Sequence, residues 1–204
     1  MWILKKQKKH KLVNKIPSRQ EAEDAVLTLI KYASSGTANQ EVMQNTPSRV
    51  IKAYDELFAG YDIEIDDLSK KFANDFQYHD IVAVEGINFA STCEHHMLPI
   101  TGVIHAAYIP SKSVIGISKI ARIIHAVTRK LQLQERMTSE IVEKLLQATD
   151  SLGVAVYVRA SHGCMILRGV KECDSITTTI KYSGLFLKDQ DKRNQFNKII
   201  EGFK

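Results

Sequence analysis

From about residue 80 the sequence runs in pairs: two strand-like segments, two helix-like segments, then two strand-like segments. Residues 80–89 and 102–108 are rich in Ile, Val and small side chains, and Pro110-Ser111 marks a turn after them. Ser118 is placed to cap a helix whose inner face is Ile120, Ile123, Ile124, Val127 and Leu131. Thr138 is placed to cap another, carrying Ile141, Val142, Leu145, Leu146 and Thr149, with Gly153 as its stop. Residues 154–160 alternate as a strand. So do residues 175–182, with Ile176, Thr178 and Ile180 on one face and Thr177, Thr179 and Lys181 on the other. This order is not a βαβ repeat, which argues against a doubly wound parallel sheet. The expectation is an α+β fold: an antiparallel sheet with its two helices on one face.

A helical pair precedes this block. Ser18-Arg19-Gln20-Glu21 has the form of a capping box. Ala22, Ala25, Val26, Leu29, Ile30 and Ala33 follow as one apolar stripe, ending near Gly36. Thr46-Pro47 reads as the cap and first position of a second helix, with Val50, Tyr54, Leu57 and Phe58 as its stripe and Gly60 as its stop. Still earlier lie Lys5, Lys6, Lys8, Lys9, Lys11 and Lys15, which more than account for the net charge of +5. A like-charge block of this kind reads as a flexible solvated arm. Only Trp2 offers a ring for stacking, so nucleic acid is not an expected partner. No apolar run approaches the roughly 18 residues of a membrane span, so no membrane partner is expected either. Trp2-Ile3-Leu4 is too short for a secretory core. Three cysteines make no closed disulfide framework. A reducing, cytoplasmic setting is expected, with the cysteines metal-binding, catalytic or buried.

Two of those cysteines lie in clusters. Cys93-Glu94-His95-His96 follows a strand, and His162-Gly163-Cys164 comes about seventy residues later. Cys93, His96 and Cys164 together offer two thiolates and one imidazole, a set that suits Zn²⁺. Three protein ligands leave a position open for water or substrate, the pattern of catalytic rather than structural zinc. Cys173 as a fourth ligand would close the site and make it structural. His95 and His162 flank the proposed ligands, and near neutral pH they are natural proton donors and acceptors. The chemistry alone points to a metal-assisted hydrolase.

Other residues suit an anionic purine. Ser118, Lys119 and Arg122 open a helix, whose free amides and dipole attract phosphate. Arg168 follows Cys164 by one helical turn, and Arg49 and Lys52 lie one turn apart on the second N-terminal helix. Gln134-Glu135 pairs an amide with a carboxylate, a combination able to read the donor edge of guanine. Taken singly, each of these is an ordinary surface group.

Read together, the segments resemble the GTP cyclohydrolase I family. The resemblance rests on residues 46–50, 91–96, 116–122, 132–138, 162–165, 168–170 and 175–179, in order, and covers roughly residues 40–190. It implies a tunnelling fold, with residues 1–17 as a basic arm, 18–65 as a helical extension and 66–204 as the catalytic domain. It implies zinc on Cys93, His96 and Cys164, one ion per subunit, with His95 and His162 as the proton-transfer pair. Glu135, helped by Gln134, would anchor guanine. Ser118, Lys119, Arg122 and Arg168 would hold the triphosphate and ribose, with Arg49 and Lys52 reaching in from a neighbouring subunit. The implied partners are GTP and further copies of the chain, in a decamer of two pentamers. The implied reaction converts GTP to 7,8-dihydroneopterin triphosphate and formate, the first step of folate and pterin biosynthesis. Lys130 stands where the family usually has Arg, keeping the charge but losing the planar fork. Two alternatives remain at this stage: a tunnelling-fold relative acting on another purine, and a zinc-stabilised binding protein with a closed site.

Overall fold

The computed structural model describes residues 15–68 and 70–202, so most of the lysine arm lies outside the described residues. The described residues divide into two compact units, with the boundary between Tyr54 and Asp55.

In the first unit, α1 (Arg19–Ala33) opens on the expected capping box. The Ser18 hydroxyl takes the Glu21 amide, and the Glu21 carboxylate takes the Ser18 amide at 2.7 Å. None of its residues is buried. Helix α2 spans Gln40–Leu57, so it starts well before Thr46-Pro47. Asn39 supplies the cap, accepting the Val42 amide at 2.9 Å, and Pro47 lies inside the helix. A mid-helix proline carries the same signature in the sequence as one at a helix start, and here the Asn39 cap decides.

The second unit is built on a five-stranded sheet of order β5-β2-β3-β6-β7. The strands are β2 (Val82–Cys93), β3 (Pro99–Ile109), β5 (Leu131–Gln132), β6 (Gly153–His162) and β7 (Thr177–Tyr182). All pairings are antiparallel except β5 with β2. A separate two-stranded sheet joins β1 (Lys71–Ala73) to β4 (Ser113–Ile115). Strand β2 shifts register between Val84 and Ile87, where Gly86 takes a φ of +69°. The extra residue moves the inward set from Val82 and Val84 to Ile87 and Phe89, so both halves of the strand feed one core.

That core lies between the sheet and helices α3 (Ile117–Thr128) and α4 (Gln134–Thr149). Ile104, Ala106, Val154, Val156 and Val158 meet Ile120, Ile123, Ile124, Ile141 and Leu145 there. Each of the Val, Leu and Ile side chains contributes about 1.5–3 kcal/mol on burial. The α+β expectation therefore holds, with both central helices on one face. Their starts differ from expectation. Gly116, not Ser118, caps α3. Thr138 lies inside α4, its hydroxyl donating to the Gln134 carbonyl at 2.7 Å. Helix α4 stops at Asp150 in the left-handed conformation (φ +50°), and Gly153 opens β6.

The opposite face of the sheet carries elements that the sequence reading did not anticipate. Helices α6 (Leu185–Lys188) and α7 (Gln190–Glu201) bring Phe186 and Phe196 onto Ala107, Ile109 and Ala155. Among the described residues no helix is long and apolar enough to cross a membrane.

Strand β2 ends at Cys93, β3 begins at Pro99, and β6 ends at His162, which pairs with Ile100. Gln132 of β5 pairs with Cys93, and α4 starts two residues later. One end of the sheet thus collects residues 93–96, 132–136 and 162–164. The start of α3, with Ser118, Lys119 and Arg122, instead follows β4 beside the far end of β3, where the Ile115 amide donates to the Tyr108 hydroxyl.

Candidate metal centre

Cys93 is the last residue of β2 and is 5% exposed. The chain then turns back sharply. The Cys93 amide donates to the Leu98 carbonyl and the Met97 amide to the Cys93 carbonyl, both at 2.8 Å, with Met97 left-handed at φ +54°. This turn carries His95 and His96, both exposed, with ring centroids 6.2 Å apart. Cys164 sits in α5 (Gly163–Ile166), directly after β6. The ligand atoms of Cys93, His96 and Cys164 all lie within 4.8 Å of one another. Cys173 is exposed, bonds weakly to the Lys171 carbonyl, and does not join this group.

The donor set fits a cation. Burial pushes the Cys164 thiol up, and the neighbouring Cys93 adds to the shift. Two thiolates side by side are therefore costly until a positive ion joins them. Arg168 opposes the shift and so acts on the same sulfur.

His162 is half-buried at the end of β6, and its Nε2 lies 2.7 Å from Gln134 Oε1. Burial lowers its pKa, and the Glu135 carboxylate partly restores it. Glu135 itself is exposed at the start of α4. Gln134 is 2% exposed, and its amide nitrogen faces the Thr177 carbonyl at 3.0 Å and Thr179 Oγ1 at 3.2 Å. Its carboxamide, which the resemblance places beside guanine, bonds inside the protein to His162, Thr177 and Thr179.

Ser118 and Arg122 are exposed and Lys119 half-buried on the first turns of α3. Among the described residues Lys119, Arg122 and Arg168 have no ion-pair partner. In the first unit Arg49 pairs with Glu41 at 3.0 Å, and Lys52 is exposed.

The sequence reading missed a clamp behind the turn that carries His95 and His96. Arg136 donates to the Glu94 carboxylate at 2.5 Å, to Gln132 Oε1 at 3.1 Å and to the Leu131 carbonyl at 3.0 Å. Gln132 in turn donates to Glu140 at 3.0 Å, and Lys130 reaches Glu140 at 3.1 Å. Lys130, expected to lose a planar fork, keeps an ion pair here. The one available signal was that Glu94 and Arg136 stand inside two of the motifs.

The family model described as GTP cyclohydrolase I matches residues 22–201. The GTP cyclohydrolase 1 of Rickettsia bellii (strain OSU 85-389) is 44% identical over 183 residues, covering 89% of this chain and 95% of its own. That of Rickettsia typhi (strain ATCC VR-144 / Wilmington) is 40% identical over 185 residues, covering 90% and 97%. That of Maricaulis maris (strain MCS10) is 44% identical over 190 residues, covering 93% and 92%.

Proposed function

Because the chain belongs to the GTP cyclohydrolase I family and converts GTP to 7,8-dihydroneopterin triphosphate, we propose how its residues divide that work. Cys93, His96 and Cys164 hold one Zn²⁺ per subunit. The observation that carries this is the convergence of two sulfurs and one imidazole within 4.8 Å. Two thiolates with one imidazole favour zinc over harder divalent ions. When bound, the ion supplies the Lewis acidity that hydrolysis at C8 of GTP calls for.

His95 and His162 handle protons. Opening the imidazole ring at C8 takes a proton from the entering water and delivers one to the departing ring nitrogen. A second hydrolysis frees C8 as formate and repeats the exchange. Two histidines beside the ligand cluster match that need. Glu135 accepts from the ring N–H and amino group of guanine, and its electrostatic effect on His162 supports a common pocket. Ser118, Lys119, Arg122 and Arg168 bind the triphosphate and ribose, which suits cations left without acidic partners.

Arg49 and Lys52 act from a neighbouring subunit of a decamer of two pentamers. Two features support assembly. Helix α1 carries an apolar stripe yet buries none of its residues. Strand β7 forms an outer edge of the five-stranded sheet. A cytoplasmic location agrees with three free cysteines.

Incubation with GTP and zinc should yield formate and dihydroneopterin triphosphate, and chelation should abolish both. His162→Ala should lose turnover and keep its zinc. Loss of the metal from that variant would overturn the ligand assignment.

A further inference from the structure

The surroundings of Gln134 fix where one hydrogen sits. The Thr177 and Val158 carbonyl oxygens lie 3.0 and 3.4 Å from one end of its carboxamide. Carbonyls only accept, so that end is the NH₂. The other end, Oε1, only accepts, and it lies 2.7 Å from His162 Nε2. The hydrogen between them therefore belongs to the histidine.

The threonines close the accounting. Thr138 has one hydroxyl hydrogen, and the Gln134 carbonyl at 2.7 Å takes it. Thr179 Oγ1 is 2.7 Å from Thr138 Oγ1, so Thr179 donates there. Its free lone pair then accepts the second Gln134 N–H at 3.2 Å. Every donor has an acceptor in this arrangement. Turning the carboxamide over would aim its oxygen at two carbonyl oxygens in a site where Gln134 is only 2% exposed.

We infer that Gln134 is a positioning residue that holds His162 in the Nε2–H tautomer, leaving Nδ1 as the bare nitrogen available to the reaction. The catalytic part of this inference rests on the reading of His162 as a proton-transfer group. The hydrogen-bond part stands on the distances alone. The start of α4 would thus serve two purposes: Glu135 faces solvent for the substrate, while Gln134 faces inward and sets a catalytic ring.

The test uses the zinc-loaded oligomer labelled with ¹⁵N-histidine. The His162 signals are identified by their loss in His162→Gln. The expected result is a ring protonated at Nε2 and not at Nδ1. In Gln134→Leu, which keeps volume and removes the acceptor, kcat should fall by about 10–100-fold, the scale of lost ring-orienting contacts. KM for GTP and zinc content should stay near wild type. Gln134→Glu should recover part of kcat, because a carboxylate also accepts from Nε2–H. Thr179→Val is milder and should lower kcat several-fold. It keeps the test alive if Gln134→Leu does not fold.

An Nδ1–H ring in the wild-type enzyme would overturn the assignment. A raised KM with unchanged kcat in Gln134→Leu would also overturn it, returning Gln134 to the guanine pocket. Wild-type turnover by His162→Ala would instead overturn the reading of His162 and the catalytic part of this inference with it. The tautomer signature is independent of that result.

Discussion

His105 lies 5% exposed on β3, on the sheet face opposite α3 and α4, edge-on to Tyr157 at 5.7 Å. The Gly86 amide donates to its Nδ1 at 3.4 Å. Burial holds its pKa below the ordinary 6.5, with Glu85 pulling weakly the other way. A depressed imidazole means that the unfolded chain binds a proton which the folded chain refuses. The stability that neutral His105 contributes is therefore fully present above pH 6.5 and is lost as pH falls from there through the lower folded value. The expected outcome is a smaller acid-induced loss of thermal midpoint in His105→Asn than in wild type. Comparing the two removes the shared effect of metal-ligand protonation. Single residues also show what the sequence made legible. Cys93, His96 and Cys164 stood out because short Cys/His spacings have few other uses. The partners of Gln134 did not, because Thr177 and Thr179 lie 43 and 45 residues away. Only the β6–β7 register brings them under α4.

At the scale of elements, periodicity was readable and boundaries were not. The apolar stripes of α1, α3 and α4 follow helical spacing, and the β7 alternation matches its two faces. Three helix starts were misplaced, because Thr46, Ser118 and Thr138 are cap-type residues that here lie inside helices. Parallel strand β5 is two residues long, too short for any pattern, yet it joins Cys93 to the start of α4. Arg136 reinforces that junction by bonding β5, Gln132 and Glu94 together. The Arg136–Glu94 pair is partly exposed, so its direct contribution to stability is small. Its effect falls on the turn that carries His95 and His96, where a metal ion is proposed to bind. Arg136→Ala should keep the circular dichroism of the wild type and lose metal affinity by about 10–100-fold. Competition with a chromophoric chelator measures this directly.

For the whole molecule, the central α+β block was legible and the C-terminal cover of α6 and α7 was not. Their short helices carry only Phe186 and Phe196 as fully buried anchors. Light scattering on the purified protein should give the mass of ten chains. Arg49→Ala should then raise KM for GTP while leaving zinc content unchanged, since its role is proposed to be in a neighbour's pocket. The ladder itself has a further consequence. Thr92 pairs with Pro99 and Ile100 with His162, so Cys93 and Cys164 are brought together only when β2, β3 and β6 are aligned as they are. A slip of one residue would turn the side chains to the opposite face and pull the sulfurs apart. An ion gripped by all three ligands would reward correctly aligned chains alone, by mass action. The same three residues would then act as a proofreader of strand alignment during folding, before any substrate arrives.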